Sequence, residues 1–214
     1  MGHKSLYGIV ALTCACALAG CSGSSTGGFG GGSGSIPPGL TTDSRIVTLT
    51  ANGNLPDVGI VGSIGNSFSK QSFLNGSGFA YQLGRVRGTD TFLGVAGILP
   101  NNQVGGAPTV ATASYAGDYN LSYADSNSFE TNVAGKITLN ADFGQGTLIG
   151  QSGGLAVNGN ITGQNIGGTA SYRGVDAPLA GRIGNDRAVG AFAGHTNRKV
   201  LVGGFIAERP NQNP

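Results

Sequence analysis

The chain has 214 residues, 41 of them glycine and only 10% of them charged, and its 12 Lys and Arg against 10 Asp and Glu leave a formal net charge of +2. That balance gives no electrostatic case for a nucleic acid or a strongly anionic partner. With two His, three Cys, one Met and no Trp, soft or imidazole-rich metal centres have almost no ligands to draw on.

Residues 1–20 have the layout of a secretory signal: His3 and Lys4 form a short basic start, Leu6 to Leu18 an apolar run, and small residues lead to Cys21. The run is shorter than the about 20 apolar residues a spanning helix needs. Leu18-Ala19-Gly20-Cys21 is a lipobox, so cleavage is expected between Gly20 and Cys21 with lipidation of the cysteine. Two or three acyl chains, palmitate among them, anchor stably where one does not. Ser22 in place of aspartate implies sorting to the outer membrane and leaves the leaflet open. Cys14, Cys16, His3, Lys4 and Met1 depart with the signal, so the mature chain has one lipidated cysteine, no disulfide, one histidine and a charge of about +1.

Residues 21–44 follow as a lipidated tether. Ser22 to Ser35 contains only Ser, Gly, Thr26 and Phe29, and a coil of that composition has a root-mean-square reach of about 20 Å. Glycine clusters can also cradle phosphate, but that needs a strand before and a helix after. Residues 45–108 read as a small β region with candidate strands at 45–51, 58–64, 78–86 and 91–99.

From residue 109 the apolar period is two. Val133, Ile137, Leu139, Ala141 and Phe143 alternate with Lys136, Thr138, Asn140 and Asp142; Leu155, Val157, Gly159 and Ile161 alternate with Asn158, Asn160 and Thr162. Tyr115, Gly117, Tyr119, Leu121 and Tyr123 make an aromatic stripe, for which a core face is the plainer reading than a ligand platform. Turn residues divide 109–209 into eight runs: 109–123, 131–143, 146–151, 155–163, 167–173, 178–184, 187–195 and 199–208. Short strands joined by tight turns, even in number, predict an all-β fold with an eight-stranded antiparallel up-and-down barrel, which also removes exposed edges. Residues 210–214 are a tail. Gly135, Gly159, Gly181, Gly190 and Gly203 fall inside strands, where tightly curving strands bend.

Four segments in order, Tyr115-Ala116-Gly117-Asp118-Tyr119, Ala141 to Gly150, Val189 to Gly194 and Val202 to Arg209, resemble the barrel domain of the transferrin-binding protein B family of Gram-negative surface lipoproteins. The resemblance covers about half of the chain. It implies that 45–108 is a reduced form of the β "handle" that precedes such barrels. It further implies capture of a protein or small ligand at the cell surface, with host or environmental proteins or haem as ligand and a TonB-dependent receptor as partner, in iron or haem acquisition. The alternative is a structural or envelope-interaction lipoprotein without a small-molecule ligand. Two large lobes build the transferrin site of that family and this chain has one barrel, so no individual binding residue carries over.

The chemistry of the residues points to no enzyme. A Ser/His/Asp arrangement would have to use His195, and no Gly-x-Ser-x-Gly elbow between a strand and a helix is present. His195 lies in Gly194-His195-Thr196-Asn197, where a solvated turn histidine is the plainer reading and a haem or metal contact the sharper one. Tyr81, Tyr115, Tyr119, Tyr123 and Tyr172 are the candidate tyrosinate ligands for haem iron, with strand packing as the plainer reading; the ligand-binding candidates are thus His195, Tyr119 and Tyr123. Asp118, Asp125 and Glu130 fall near one loop without calcium-loop spacing and read as a solvated loop. Arg85 with Arg87, and Arg182 with Arg187, read as outward strand positions. In Val200 to Ile206 both alternating sets are apolar, Val200, Val202 and Ile206 against Leu201 and Phe205. That strand is expected to be covered on its outer face by the region before Thr109, or else to expose a partner surface.

Overall fold

The computed structural model describes residues 41–56 and 64–210, and every regular element among them is a strand. Four precede the barrel: β1 (Asp43–Thr48), β2 (Ile64–Leu74), β3 (Ser77–Val86) and β4 (Phe92–Ile98). Eight form it: β5 (Thr112–Ala124), β6 (Phe129–Asp142), β7 (Thr147–Ser152), β8 (Leu155–Thr162), β9 (Asn165–Tyr172), β10 (Val175–Ile183), β11 (Arg187–Thr196) and β12 (Lys199–Glu208). Each barrel strand pairs antiparallel with the next in sequence, and β12 closes on β5 with Phe205 opposite Tyr119. The eight strands expected from the sequence are the eight observed.

Alternation explains the interior. Tyr115, Tyr119, Leu121, Tyr123, Ile137, Leu139, Leu148, Leu155, Val157, Phe192, Leu201 and Phe205 point inward and form one buried cluster. Three of the strand glycines sit beneath aromatic rings of the strand they pair with. Gly190 faces Phe205, Gly203 faces Phe192 and Gly135 faces Tyr119, and a Cβ on any of them would lie 2.5 to 2.7 Å from a ring atom. A narrow barrel interior is thus filled by ring-over-glycine pairs, a more specific role than strand bending. The β9–β10 turn needs a different property: Arg173 and Gly174 have φ of 47° and 75°, the left-handed pair of a two-residue hairpin.

The first four strands form a separate sheet in the order β1-β4-β3-β2, with β1 parallel to β4. Phe79, Tyr81, Leu83, Phe92 and Ala96 on its inner face meet Val189, Ala191 and Ala193 of β11 and Val200, Val202 and Ile206 of β12 in a second buried cluster. Phe79 occupies the space a Cβ on Gly204 would need, and Gly94 admits Val200 and Val202. Val200 and Val202 are fully buried. The strand that is apolar on both faces therefore has two dry faces, covered from outside by the region before Thr109, as expected.

The sheet departs from the sequence reading at β2. The candidate strand 58–64 lies outside the described residues except for Ile64, and the strand observed runs on through the polar stretch to Leu74. Ser, Asn, Gln and Lys dominate β2 because it is an edge strand with one wet face; among its inner positions only Phe68 carries an aromatic ring, 6.2 Å from that of Tyr81. A second departure is the start of β6 at Phe129, where a register shift between Leu121 and Tyr123, with Asn132 at φ 57°, hides the period.

Candidate functional site: the two ends of the barrel

One end of the barrel gathers the turns β5–β6, β7–β8, β9–β10 and β11–β12. Tyr123, whose ring is inside the barrel, donates its hydroxyl to Asp125 Oδ2 at 2.9 Å, and Asp125 Oδ1 accepts from Asn127 N at 2.8 Å. The Asn127 and Tyr123 hydrogen bonds hold the Asp125 carboxyl below its ordinary pKa. Burial pushes the Tyr123 phenol up to about 12. Above it the Arg173 guanidinium lies 5.6 Å from the ring centres of both Tyr123 and Tyr172 and pairs with Glu130 at 2.5 Å. Arg173 thus lies across this mouth of the barrel as a cation stacked on two rings.

His195 belongs to the same end but to the other side of the wall. It is exposed, near the end of β11, and its Nδ1 lies 2.8 Å from Ser44 Oγ at the start of β1. A cleft of about 490 Å³ beside it is bordered by Thr41, Thr42, Asp90 and Arg198. Phe92 N donates to Thr42 Oγ1, which ties the start of the described residues to β4.

His195, Tyr119 and Tyr123 therefore do not share a site: the tyrosines point into the barrel and His195 points out. Tyr119 is 3% exposed, with its ring against Gly135 and Gly153. Tyr115 donates to Gly184 O at 2.7 Å and, with Tyr81, has its phenol raised by burial to about 12. Asp118, Asp125 and Glu130 also separate. Asp118 pairs outward with Lys136 at 2.8 Å, while Asp125 and Glu130 are held as described. Among the described residues no group of three or more His, Cys, Asp or Glu could hold a metal ion.

The opposite end carries the turns β6–β7, β8–β9 and β10–β11 and a polar groove of about 990 Å³ bordered by Asn75, Thr109, Asn185, Asp186, Glu208 and Arg209. Its anchor is Arg187, which the sequence reading placed among solvated outward residues and which is 7% exposed. Arg187 Nη2 meets Glu208 Oε1 at 2.7 Å, and Nη1 donates to Gln103 O at 2.6 Å and Asn75 O at 3.3 Å. It does point outward, but the segment between β4 and β5 lies over it, with Val104 O accepting from Asp186 N. Glu208, Gln103 and Asn75 lie 21 to 112 positions from Arg187 along the chain, and no local pattern announces them. Arg85 is also committed, to Asp90 at 2.6 Å and to the face of Phe92. The arginine pairs form no basic patch.

No family model and no curated protein matches the chain. Solved structures do. A mutant of transferrin binding protein B from Haemophilus parasuis is similar at 13% identity and a TM-score of 0.45, over 67% of this chain and 37% of that one. A mutant of the protein of that name from Actinobacillus pleuropneumoniae gives 13% and 0.46, over 66% and 81%. The haemoglobin receptor of Kingella denitrificans gives 15% and 0.38, over 62% and 55%. The chain thus spans little more than a third of the first of these. Two of the three carry the name of the family that the sequence motifs resemble.

Proposed function

We propose that this chain is an outer-membrane lipoprotein, anchored through acylated Cys21, that binds a protein ligand at the cell surface and performs no chemistry on it. The observation that carries the reading is the filled barrel. Its inward rings pack on one another and on glycines, and Tyr115 and Tyr123 stay protonated donors to Gly184 O and Asp125, which supports binding on the outer surface. The described residues begin at the His195 end, which supports a reading in which a tether on that side leaves the Arg187 groove on the end away from the membrane. The motif resemblance makes iron- or haem-carrying host proteins the first ligand class to test, with a TonB-dependent receptor as the partner that would take the cargo.

Protease treatment of intact cells tests the display. The folded part is expected to be digested along with surface controls and, in Cys21→Ala, to be lost from the outer membrane; survival of the chain while those controls are cut would overturn the reading. Haem titration of the purified chain is expected to give no Soret shift at tens of micromolar, because the tyrosines face inward and His195 is held to Ser44. A shift would move the ligand from a carrier protein to haem itself.

A further inference from the structure

Among the described residues the four-stranded sheet has two unpaired edges, and they are not alike. β2 is guarded in the usual ways: Lys70 points to the inner face and a bulge lies between Ile64 and Asn66. β1 has neither an inward charge nor a bulge, and its only charges are the exposed Asp43–Arg45 pair. Its backbone bonds only to β4 among the described residues, and the parallel pairing leaves alternate N–H and C=O groups directed away from the sheet.

Beside that edge is a cleft of about 480 Å³ between β1 and the outer faces of β9 and β10, bordered by Ile46, Thr48, Ile98, Ala180 and Arg182. The barrel wall is low here. Ala180 is small, and a Cβ on Gly167 would meet nothing within 4 Å. β1 packs over β11, so a strand added to β1 would lie over β10 and extend the covered part of the wall by one strand. Arg182 borders this space. Among the described residues its Nε is buried without a hydrogen-bond partner, and it takes part in none of the ion pairs that engage Arg45, Arg85, Arg173 and Arg187. A buried, unpaired guanidinium N–H is costly, and the group that fits it best is a carboxylate.

We propose that this cleft binds an extended segment of a partner protein, which adds to β1 as a fifth strand and places an acidic side chain on Arg182. Main-chain bonds to β1 supply affinity and the carboxylate supplies selectivity. The occupant has to be thin, with small side chains toward Ala180 and Gly167. A second folded copy pairing through its own β1 would bring its barrel into the same space. The site does not depend on which membrane leaflet holds the chain, so it and the surface-display reading can fail separately.

The test is a titration of the full mature lipidated chain in detergent micelles, labelled with nitrogen-15. The probe is a blocked nine-residue peptide of alternating Val and Thr with one central Asp; a matched peptide carries Asn. The expected result is saturable shifts of the Asp43–Thr48 amides and of the Arg182 Nε–H signal, with the Asp peptide about five- to tenfold tighter than the Asn peptide. In Arg182→Gln, with the barrel amides unmoved as the check on folding, the two peptides should bind equally. No shift, shifts at β2 instead, equal affinities for the intact chain, or shifts that follow protein concentration without peptide would each overturn the proposal.

Discussion

The wall of the barrel has two halves. Along β6 to β8 the inward Ile, Leu and Val alternate with outward positions that are mostly Asn, Thr, Lys and Gln, exposed Ile149 on β7 being the main exception, whereas along β11 and β12 both sets are largely apolar. The strands are alike in pairing, each antiparallel to both neighbours; they differ in what lies outside, water in one half and the four-stranded sheet in the other. Period two is thus a count of wet faces, and its loss marks a contact between layers, even when the covering layer lies far away in sequence.

The broadest challenge to that comparison is alkali, because it acts on both layers together. Tyr115 and Tyr123 in the barrel and Tyr81 in the interface have phenols raised by burial from 10.0 to about 12. A pKa raised on folding contributes stability that is complete below the unfolded value and is lost as pH rises through the folded one. Thermal melts should therefore be insensitive to these groups up to about pH 10 and fall steeply between 10 and 12, with the phenolate absorbance of these three appearing together with unfolding. Smooth titration of all tyrosines near 10 in a folded chain would contradict the burial described.

Substitution separates the halves. Val202→Asp puts a charge in the dry layer between β12 and the sheet and is expected to cost about 3 to 5 kcal/mol in urea unfolding. Asn158→Asp on the wet half should stay within about 0.5 kcal/mol. Comparable effects would mean that the sheet does not cover β12. A smaller loss, about 1 to 3 kcal/mol, is expected for Arg187→Met, which leaves the carbonyls of Gln103 and Asn75 without their donor; amide exchange should then quicken between β4 and β5 before it changes in the barrel. The smallest effect is at the mouth. Arg173→Ala removes a half-exposed cation from two rings and should leave the melting transition nearly unmoved, the loss being read best as a change in Tyr fluorescence.

These contrasts also explain how far the sequence could be read. β6, β8 and β12 were legible because each side chain reports which face it is on, and the doubly apolar run at Val200 to Ile206 even announced its cover. β2 was not, since an edge strand with one aromatic inner residue has the composition of a loop. The ring-over-glycine pairs were half legible: Gly190 and Gly203 stand out in their strands, but which ring each receives follows from the register of β11 against β12. Of the candidate residues, the tyrosines of the stripe lie in the buried interior, where alternation alone places them. The Ser44–His195 contact and the Arg187 clasp join positions 151 and up to 112 residues apart, and nothing local encodes such pairings.

The parallel pairing of β1 with β4 has a mechanical side. In a chain held on its N-terminal side and pulled by something bound at the Arg187 end, tension would reach the described residues at Thr41 and run along β1. The pairs from Asp43 opposite Leu93 to Thr48 opposite Ile98 lie across that line, so the load falls on them together in shear and does not peel them open one after another. The strand beside the anchor would then be the one best arranged to bear a pull.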